Sequence, residues 1–229
     1  MKSYLVTVLA LGLISTSVHA DDKPDLSNEK QRVSYAIGVN LGSNFQKQEL
    51  DIDQKALAQG IADATAGKAA LNQSEVQETL MKFQQQMMAK QQAKMQVEGE
   101  KNIKDGEAFL AANAKKDGVK STASGLQYKV LKSGNGPSPS ATDTVKVNYE
   151  GTLIDGTVFD SSIKRGEPAS FPVNRVIPGW TEALQLMKVG DKWQLFIPAK
   201  LAYAEHSPSP NIPPNSTLIF DVELLSIEK

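Results

Sequence analysis

Few side chains in this sequence are suited to covalent or metal chemistry. The 229 residues include no cysteine and only two histidines, His19 and His206. Thiol nucleophiles, disulfides and zinc sites made of cysteine or of three histidines are excluded, and a Ser-His-Asp arrangement is hard to assemble. Oxygen ligands could still hold a hard cation, but Asp, Asn and Gly do not recur at EF-hand-like spacing. We therefore expect no metal and no cofactor, and any catalysis must proceed without a thiol or an imidazole.

The charge balance also narrows the choice of partners. Lys and Arg number 25 and Asp and Glu number 26, which gives a formal net charge of −1 at pH 7. A protein that binds nucleic acid or an anionic membrane surface usually carries a basic patch or stripe. The sequence has no long basic run, so we expect no nucleic-acid partner.

The first twenty residues have the pattern of an export signal. Residues 1–4 include one lysine, residues 5–18 carry no charge, and Ala20 precedes the acidic pair Asp21-Asp22. A charged start, an apolar run and a small residue at the cut site predict a cleaved signal peptide over 1–20. The apolar run is shorter than the ~20 residues that span a bilayer, and no second run of that length follows. We expect a soluble product in the bacterial periplasm, with display on the outer surface as the alternative.

Composition divides the rest of the chain into two parts. Residues 21–118 contain one proline, Pro24, and are rich in Ala, Gln, Lys and Glu, whereas ten prolines and both tryptophans come later. This shift predicts an α+β protein in which a helical module precedes a β-rich domain. The predicted boundaries are 21–72 for the helical domain, 73–118 for a long connecting helix, and 119–229 for the β-rich domain.

Three helices are indicated in the first part. Ser27 and Asp53 are candidate N-caps of the first two, and Ser74 with Gln77 has the capping-box spacing for the third. An apolar residue recurs every fourth position along the first helix, at Val33, Ile37, Leu41 and Phe45. Such stripes need a partner. A three-helix monomer is one reading; we favour a homodimer, because fewer than fifty residues form a poor core alone.

The third helix is predicted to be long and polar in its second half. Continuous from 74 to 115, it would extend about 60 Å. Gly99 and Gly106 each cost about 1 kcal/mol relative to alanine, so a bend is expected near them. We interpret this half as an exposed arm.

The second part of the sequence has the pattern of short antiparallel strands. Apolar residues alternate at Leu126, Tyr128 and Val130, and Asp155-Gly156 between two β-branched runs predicts a hairpin. Residues 181–187 read as a short amphipathic helix. We predict a curved antiparallel sheet wrapped on one helix.

Four motifs in this part resemble a known family. They are VNYEGTL at 147–153, DGTVFDSS at 155–162, VIPGW at 176–180 and PPNSTLIFDVELL at 213–225. Together they resemble the FKBP family of peptidyl-prolyl cis/trans isomerases. The stretches NAKKDGV at 113–119 and STASGLQY at 121–128, after a helical module, resemble its exported Mip/FkpA subgroup. The resemblance implies a V-shaped homodimer with intertwined N-terminal helices and an FKBP-like C-terminal sheet.

The resemblance also implies a site that rotates the bond before proline. Trp180 would be the floor of an apolar cleft, Tyr203 would offer its hydroxyl and Ile177 its backbone N–H, and Asp160 would face the twisting carbonyl. Arg165 and Tyr149 would hold Asp160. The remaining walls implied by the resemblance are Phe159, Phe220, Val176, Ala202 and Ile212. Taken singly, each aromatic residue could equally be ordinary core of a small β domain.

One loop departs from the family pattern. Ala204 stands where relatives have glycine, which is awkward if the backbone there needs a positive φ. Residues 205–211 contain serines and prolines in place of glycines. This leaves open the substrate preference and the binding of macrolide inhibitors of the rapamycin type.

We therefore expect a peptidyl-prolyl isomerase that binds proline-containing segments of unfolded exported proteins and also acts as a chaperone. The alternative is a holdase or surface interaction protein, in which the helices bind clients and the cleft is incidental. A methionine-rich stretch that includes Met81, Met87 and Met88 could provide an adaptable surface for clients, although methionines of this kind are more often core residues.

Overall fold

The computed structural model describes residues 23–228. The predicted signal peptide lies outside the described residues. The chain divides into two units, one ending at Val76 and one beginning at Gln77. Among the described residues, no helix combines the length and the apolar character needed to cross a bilayer.

The first unit is built from helices. Helix α1 spans Glu29–Lys47 and α2 spans Gln54–Thr65. Asp53 caps α2 as predicted, since its carboxylate accepts the N–H groups of Lys55 and Ala56, both at 2.9 Å. The prediction for α1 was wrong by one residue: the side chain of Asn28, not that of Ser27, accepts the N–H of Gln31 at 3.2 Å. Neither α1 nor α2 buries a residue within the chain.

Helix α3 runs without interruption over Gln73–Asn113, 41 residues. Its capping box is formed by Asn72 and Glu75 rather than by the predicted Ser74 and Gln77. The Asn72 side chain accepts the N–H of Ser74 at 2.9 Å, and the Glu75 carboxylate accepts the N–H of Asn72 at 2.8 Å. This reciprocal pairing satisfies N–H groups that the first helical turn leaves without partners.

The second half of α3 is not a free arm, which corrects the sequence prediction. Gly99, Gly106 and Asn113 are buried at intervals of seven residues along one face of the helix. A Cβ added to Gly106 would lie 2.3 Å from Oγ1 of Thr217, and one added to Gly99 would lie 3.0 Å from Nδ2 of Asn215. The glycines therefore allow close contact with residues 215–217 of the same unit, and the helix is not broken at either of them.

The second unit contains a seven-stranded antiparallel sheet, as predicted. Its strands are β1 (Val119–Ser121), β2 (Gln127–Lys132), β3 (Thr144–Leu153), β4 (Val158–Ser161), β5 (Ala169–Pro172), β6 (Lys192–Ile197) and β7 (Leu218–Glu228). The order is β1-β2-β6-β7-β3-β4, and β5 pairs with β3. The predicted turn at Asp155-Gly156 joins β3 to β4, with Gly156 at φ 86°. Helices α4 (Ser162–Arg165) and α5 (Pro178–Leu186) complete the unit.

The sheet wraps around α5, and the core lies between them. Trp180, Ala183 and Leu184 are the buried apolar side chains of α5. They pack in one cluster with inward-facing residues of the strands, among them Val147, Leu195, Val222 and Leu224. Gly179 lets α5 approach β6, because a Cβ there would lie 2.6 Å from Cγ2 of Ile197.

Candidate active site

A cluster of aromatic side chains lies where α5 meets strands β3, β4, β5 and β7. Trp180 makes edge-on contacts with Tyr149 and Phe220, with ring centroids 5.4 and 5.2 Å apart. Phe159 meets Phe220 edge-on at 5.4 Å, and Phe171 meets Trp180 edge-on at 5.8 Å. Edge-to-face pairs of this kind stabilise by about 0.5–1.5 kcal/mol beyond the burial of apolar area.

Burial differs across this cluster. Tyr149, Trp180 and Phe220 are buried, whereas Phe159 and Phe171 are partly exposed. The indole N–H of Trp180 has no hydrogen-bond partner among the described residues. The cluster therefore offers an apolar surface with a buried base and partly accessible sides.

Gly151 makes room for two of these rings. A Cβ on Gly151 would lie 2.6 Å from Cζ of Phe159 and 2.7 Å from Cε1 of Phe220. Both distances are far below van der Waals contact, so only glycine fits here without displacing a ring. Glycine inside a strand often marks such a close approach, and this signal in the motif at 147–153 was available from the sequence.

Asp160 lies beside the aromatic cluster and is held by two residues. Its carboxylate accepts a hydrogen bond from the hydroxyl of Tyr149 and an ion-paired hydrogen bond from the guanidinium of Arg165. Arg165 also donates to the Tyr149 hydroxyl oxygen at 2.9 Å, and its guanidinium lies 5.5 Å from the Tyr149 ring centroid. Strand β4 supplies Asp160 and helix α4 supplies Arg165, five residues later.

The electrostatics of this group favour an ionised carboxylate. Partial burial raises the pKa of Asp160, but the hydrogen bonds from Tyr149 and Arg165 outweigh burial, and the pKa is lowered from its ordinary value. Burial, followed by the hydrogen bond to Asp160, raises the pKa of Tyr149. Burial and the nearby Asp160 charge raise the pKa of Tyr203. At neutral pH the site therefore contains one carboxylate and two protonated phenols.

The remaining predicted site residues lie around the same core cluster. Val176, Ile177, Ala202 and Tyr203 are partly buried and pack against it, and Ile212 is buried within it. Ile177 is the N-cap residue of α5, and its carbonyl accepts the N–H groups of Trp180 and Thr181 at 2.9 and 3.1 Å. The first turn of α5 thus fixes the peptide between Ile177 and Pro178, which adjoins the peptide that carries the Ile177 N–H.

Ring contacts and hydrogen bonds bring together six of the residues that the resemblance implied, and the roles of all of them stay predictions: the six are Tyr149, Phe159, Asp160, Arg165, Trp180 and Phe220. Phe171 was missed. Its ring contacts both Tyr149 and Trp180, at 5.9 and 5.8 Å. Two residues before it in β5 is Ala169, which lies on the same face of the strand because side chains alternate. The alternation in β5 could have identified Phe171 as a residue whose side chain faces the aromatic cluster.

The loop after Tyr203 has an unusual backbone. Ala204 has φ 51°, a left-handed backbone that is unfavourable for alanine. Ser207 organises the loop, because its hydroxyl oxygen lies 2.9 and 2.8 Å from the carbonyl oxygens of Ser209 and Ile212, and its single hydrogen is shared between them. Among residues 23–228, no cluster of three or more His, Asp or Glu side chains is placed to hold a metal ion.

Comparison with known proteins agrees with this architecture. The family model described as FKBP-type peptidyl-prolyl cis-trans isomerase matches residues 136–225, and a model for the domain amino terminal to it matches residues 30–130. A relative named outer membrane protein MIP, from Legionella longbeachae, is 48% identical over 231 residues, covering 100% of this chain and 99% of the relative. The chain belongs to the FKBP-type peptidyl-prolyl cis-trans isomerase family.

Two further proteins of this isomerase family are similar to the chain over most of its length. The FKBP-type peptidyl-prolyl cis-trans isomerase FkpA of Aeromonas hydrophila is 49% identical over 214 residues, which cover 90% of this chain and 80% of that protein. The crystal structure of FkpA from Escherichia coli superposes with a TM-score of 0.71 at 44% identity, covering 88% of this chain and 97% of that one.

Proposed function

We propose that this isomerase binds X–Pro segments of unfolded polypeptides in a cleft whose base is Trp180. The observation that carries the proposal is the convergence of the Tyr149, Trp180 and Phe220 rings beside the carboxylate of Asp160. An apolar surface with a few placed polar groups is the usual form of a binding site for a small, largely apolar group. The pyrrolidine ring of proline is such a group.

The reaction can be accelerated by this surface without a nucleophile or a metal. Rotation about the X–Pro bond is slow because amide resonance imposes a barrier of ~18–20 kcal/mol. The planar amide is more dipolar than the twisted transition state, so transfer from water into an apolar cleft favours twisting. A 10⁴-fold acceleration requires only about 5–6 kcal/mol of transition-state stabilisation. Binding that is stronger in the twisted state than in the planar state supplies it.

Polar groups at the edge of the cleft fix the substrate. We assign the Tyr203 hydroxyl and the Ile177 backbone N–H as donors to two substrate carbonyls. Asp160, held by Tyr149 and Arg165, faces the carbonyl that rotates. Phe159, Phe220, Val176, Ala202 and Ile212 form the walls. The apolar residues and Tyr203 support this assignment by their packing in or against the core cluster, and Asp160 supports it by its bonds to Tyr149 and Arg165.

The test is the rate of isomerisation of a proline tetrapeptide, together with refolding of a protein limited by proline isomerisation. Asp160→Asn should lower kcat/KM at least tenfold while leaving the fold intact by circular dichroism. The matched control is Glu167→Gln, which neutralises an exposed carboxylate in the same segment and should retain full activity. Unchanged rates in Asp160→Asn would contradict the assignment, and an inactive wild-type chain would contradict the function itself.

We also propose a homodimer formed through the first helices. Val33 and Ile37 lie on one stripe of α1 and are 53% and 57% exposed in the single chain. With no buried residue in α1 or α2, these helices need a partner to bury apolar area. Residues 21–72 would then be the dimerisation domain, 73–118 the connecting helix and 119–229 the isomerase domain. Two clefts per dimer would raise the effective concentration on long clients.

A holdase activity is the second candidate function. Met81 and Met88 on α3 are 59% and 58% exposed, and methionine suits an adaptable apolar surface. The double variant Met81→Gln/Met88→Gln should reduce suppression of client aggregation with an unchanged rate on the tetrapeptide. If Asp160→Asn abolishes suppression while the methionine variant retains it, the helices do not bind clients.

The site of action that we propose is the bacterial periplasm. Support comes from the signal-like pattern in residues 1–20, and the Legionella longbeachae relative is named an outer membrane protein. Mass spectrometry of the periplasmic fraction should find a mature N-terminus at Asp21. A full-length chain found only in the cytoplasm would contradict export, whereas accessibility to protease on intact cells would indicate display on the outer surface.

We propose further that macrolides of the rapamycin type compete with peptides for this cleft. Such a compound should inhibit tetrapeptide isomerisation competitively and quench the fluorescence of Trp180. Inhibition that is not relieved by excess peptide would contradict a shared site.

A further inference from the structure

The loop over residues 204–217 connects the candidate cleft to helix α3. It begins next to Tyr203, contains Ile212 and ends at Thr217, directly before β7. Two non-glycine residues at its ends, Ala204 and Asn215, have left-handed backbones with φ 51° and 57°. The Asn215 N–H donates to the Ala204 carbonyl at 2.7 Å, which closes the base of the loop.

This closed form needs support from outside the loop. A left-handed alanine is disfavoured, and backbones of this kind persist only where surrounding structure over-determines them. Local bonds also act at each end of the loop: the Ala204 N–H donates to the Ala199 carbonyl at 2.9 Å, and the Ser216 hydroxyl donates to the Pro213 carbonyl at 2.7 Å. None of these bonds reaches the Pro214 carbonyl, which is held by another element.

Helix α3 supplies that support. The side-chain amide of Asn102 donates to the carbonyl of Pro214 at 2.9 Å, across 112 residues of sequence. One turn to either side, Gly99 lies against Asn215 and Gly106 lies against Thr217. Positions 99, 102 and 106 share one helix face, so one stripe of α3 contacts the end of the loop in three places.

We infer that Asn102 is a positioning residue for isomerisation: it holds the 204–217 loop in the form that places Tyr203 and Ile212 at the edge of the cleft. Pro213 and Pro214 connect Ile212 to the anchored carbonyl, and proline fixes φ near −65°. A shift at Pro214 is therefore transmitted to Ile212. The inference rests on the proposed function, because it assigns this loop to the substrate site.

The test compares Asn102→Ala with Lys104→Ala in the full mature chain. Lys104 is exposed on the same helix turn and serves as the matched control. Asn102→Ala should lower kcat/KM on proline tetrapeptides roughly fivefold, the loss expected for one hydrogen bond. The effect should appear mainly in KM and should vary with the residue before proline, because a loosened edge weakens contacts with flanking residues. Lys104→Ala should match the wild type.

A second pair of variants tests the same contact by crowding. Gly106→Ala places a methyl group against the Thr217 hydroxyl and should change KM in the same direction. Gly106→Ala/Thr217→Ala removes that hydroxyl and should restore part of the loss. If Asn102→Ala does not fold, these two variants still test whether the contact between α3 and the loop affects KM.

Hydrogen exchange provides a readout that does not depend on activity. The Asn215 amide should exchange faster in Asn102→Ala than in the wild type or in Lys104→Ala. Faster exchange with an unchanged KM would overturn the positioning role, as would equal losses of activity in Asn102→Ala and Lys104→Ala. A wild-type chain that is inactive on every peptide would refute the proposed function, while unchanged Asn215 exchange would refute the anchor.

Discussion

Cζ of Phe159 lies 2.6 Å from the position that a Cβ on Gly151 would occupy. A side chain at Gly151 must displace Phe159 or Phe220, and we assign both rings to the walls of the proposed cleft. Gly151→Ala should therefore lower kcat/KM on a proline tetrapeptide and lower the free energy of unfolding by about 1–3 kcal/mol, as overpacking does. Urea denaturation and the peptide assay measure both effects. Glu150→Ala, on the opposite face of β3, is the control.

A structural feature is easier to predict from the sequence when the residues that form it lie close together along the chain. The turn at Asp155-Gly156 and the cap at Asp53 were predicted because residues a few positions apart determine them. The cap of α1 was placed at Ser27 instead of Asn28, because serine and asparagine are almost equally good caps. Gly99 and Gly106 were read as bends, because the contacts that use them come from a loop more than 100 residues later.

The candidate site was predicted through ordered family motifs rather than from physical pattern. Trp180 and Phe220 have the burial of ordinary core residues, so no periodicity separates a cleft wall from a core side chain. Phe171 belongs to none of the quoted motifs and was missed for that reason. The bonds among Asp160, Tyr149 and Arg165 likewise depend on the pairing of β3 with β4, which brings distant side chains together.

The lowered pKa of Asp160 predicts a dependence of stability on pH. Hydrogen bonds stabilise the ionised form in the folded state, so the folded pKa lies below the ordinary value of 3.8. The contribution is complete above the unfolded pKa and is lost as the pH falls through the folded pKa. The difference in unfolding free energy between the wild type and Asp160→Asn should therefore be larger at ~pH 7 than at ~pH 2.5. If the wild type and Asp160→Asn differ in unfolding free energy by the same amount at both pH values, the prediction is wrong.

Strain at Ala204 predicts a stabilising substitution. The left-handed region costs an L-residue roughly 1–2 kcal/mol, whereas glycine adopts it freely but loses about 0.5–1 kcal/mol more entropy on folding. Ala204→Gly should thus raise the free energy of unfolding by roughly 0.5 kcal/mol, and Ala204→Val should lower it. Chemical denaturation of both variants measures these changes in the free energy of unfolding. A destabilised glycine variant would mean that the backbone is not strained.

A buried amide pair fastens α3 to the sheet. Asn113 donates from Nδ2 to Oε1 of Gln127 at 3.0 Å, and Gln127 donates to the carbonyl of Leu110 at 2.9 Å. Gln127→Ala removes both partners in a buried position, so it should lower the free energy of unfolding by about 1–3 kcal/mol. The exposed Lys120→Ala on the adjacent strand should change it by less than about 0.5 kcal/mol. Equal effects in the two variants would show that the pair does not stabilise the junction.

The proposed dimer predicts that two activities can be separated. Ile37→Asp places a charge on the exposed apolar stripe of α1 and should give a monomer by analytical ultracentrifugation, because burying an unpaired carboxylate is costly. The monomer should keep kcat/KM on a tetrapeptide, since every candidate site residue belongs to residues 149–220 of one chain. Its effect on long unfolded clients should fall, because two linked clefts no longer act on one molecule.

The control is Asn40→Asp, which changes a polar position of the same helix and should remain dimeric. A wild-type chain that sediments as a monomer at micromolar concentration would contradict the dimer directly.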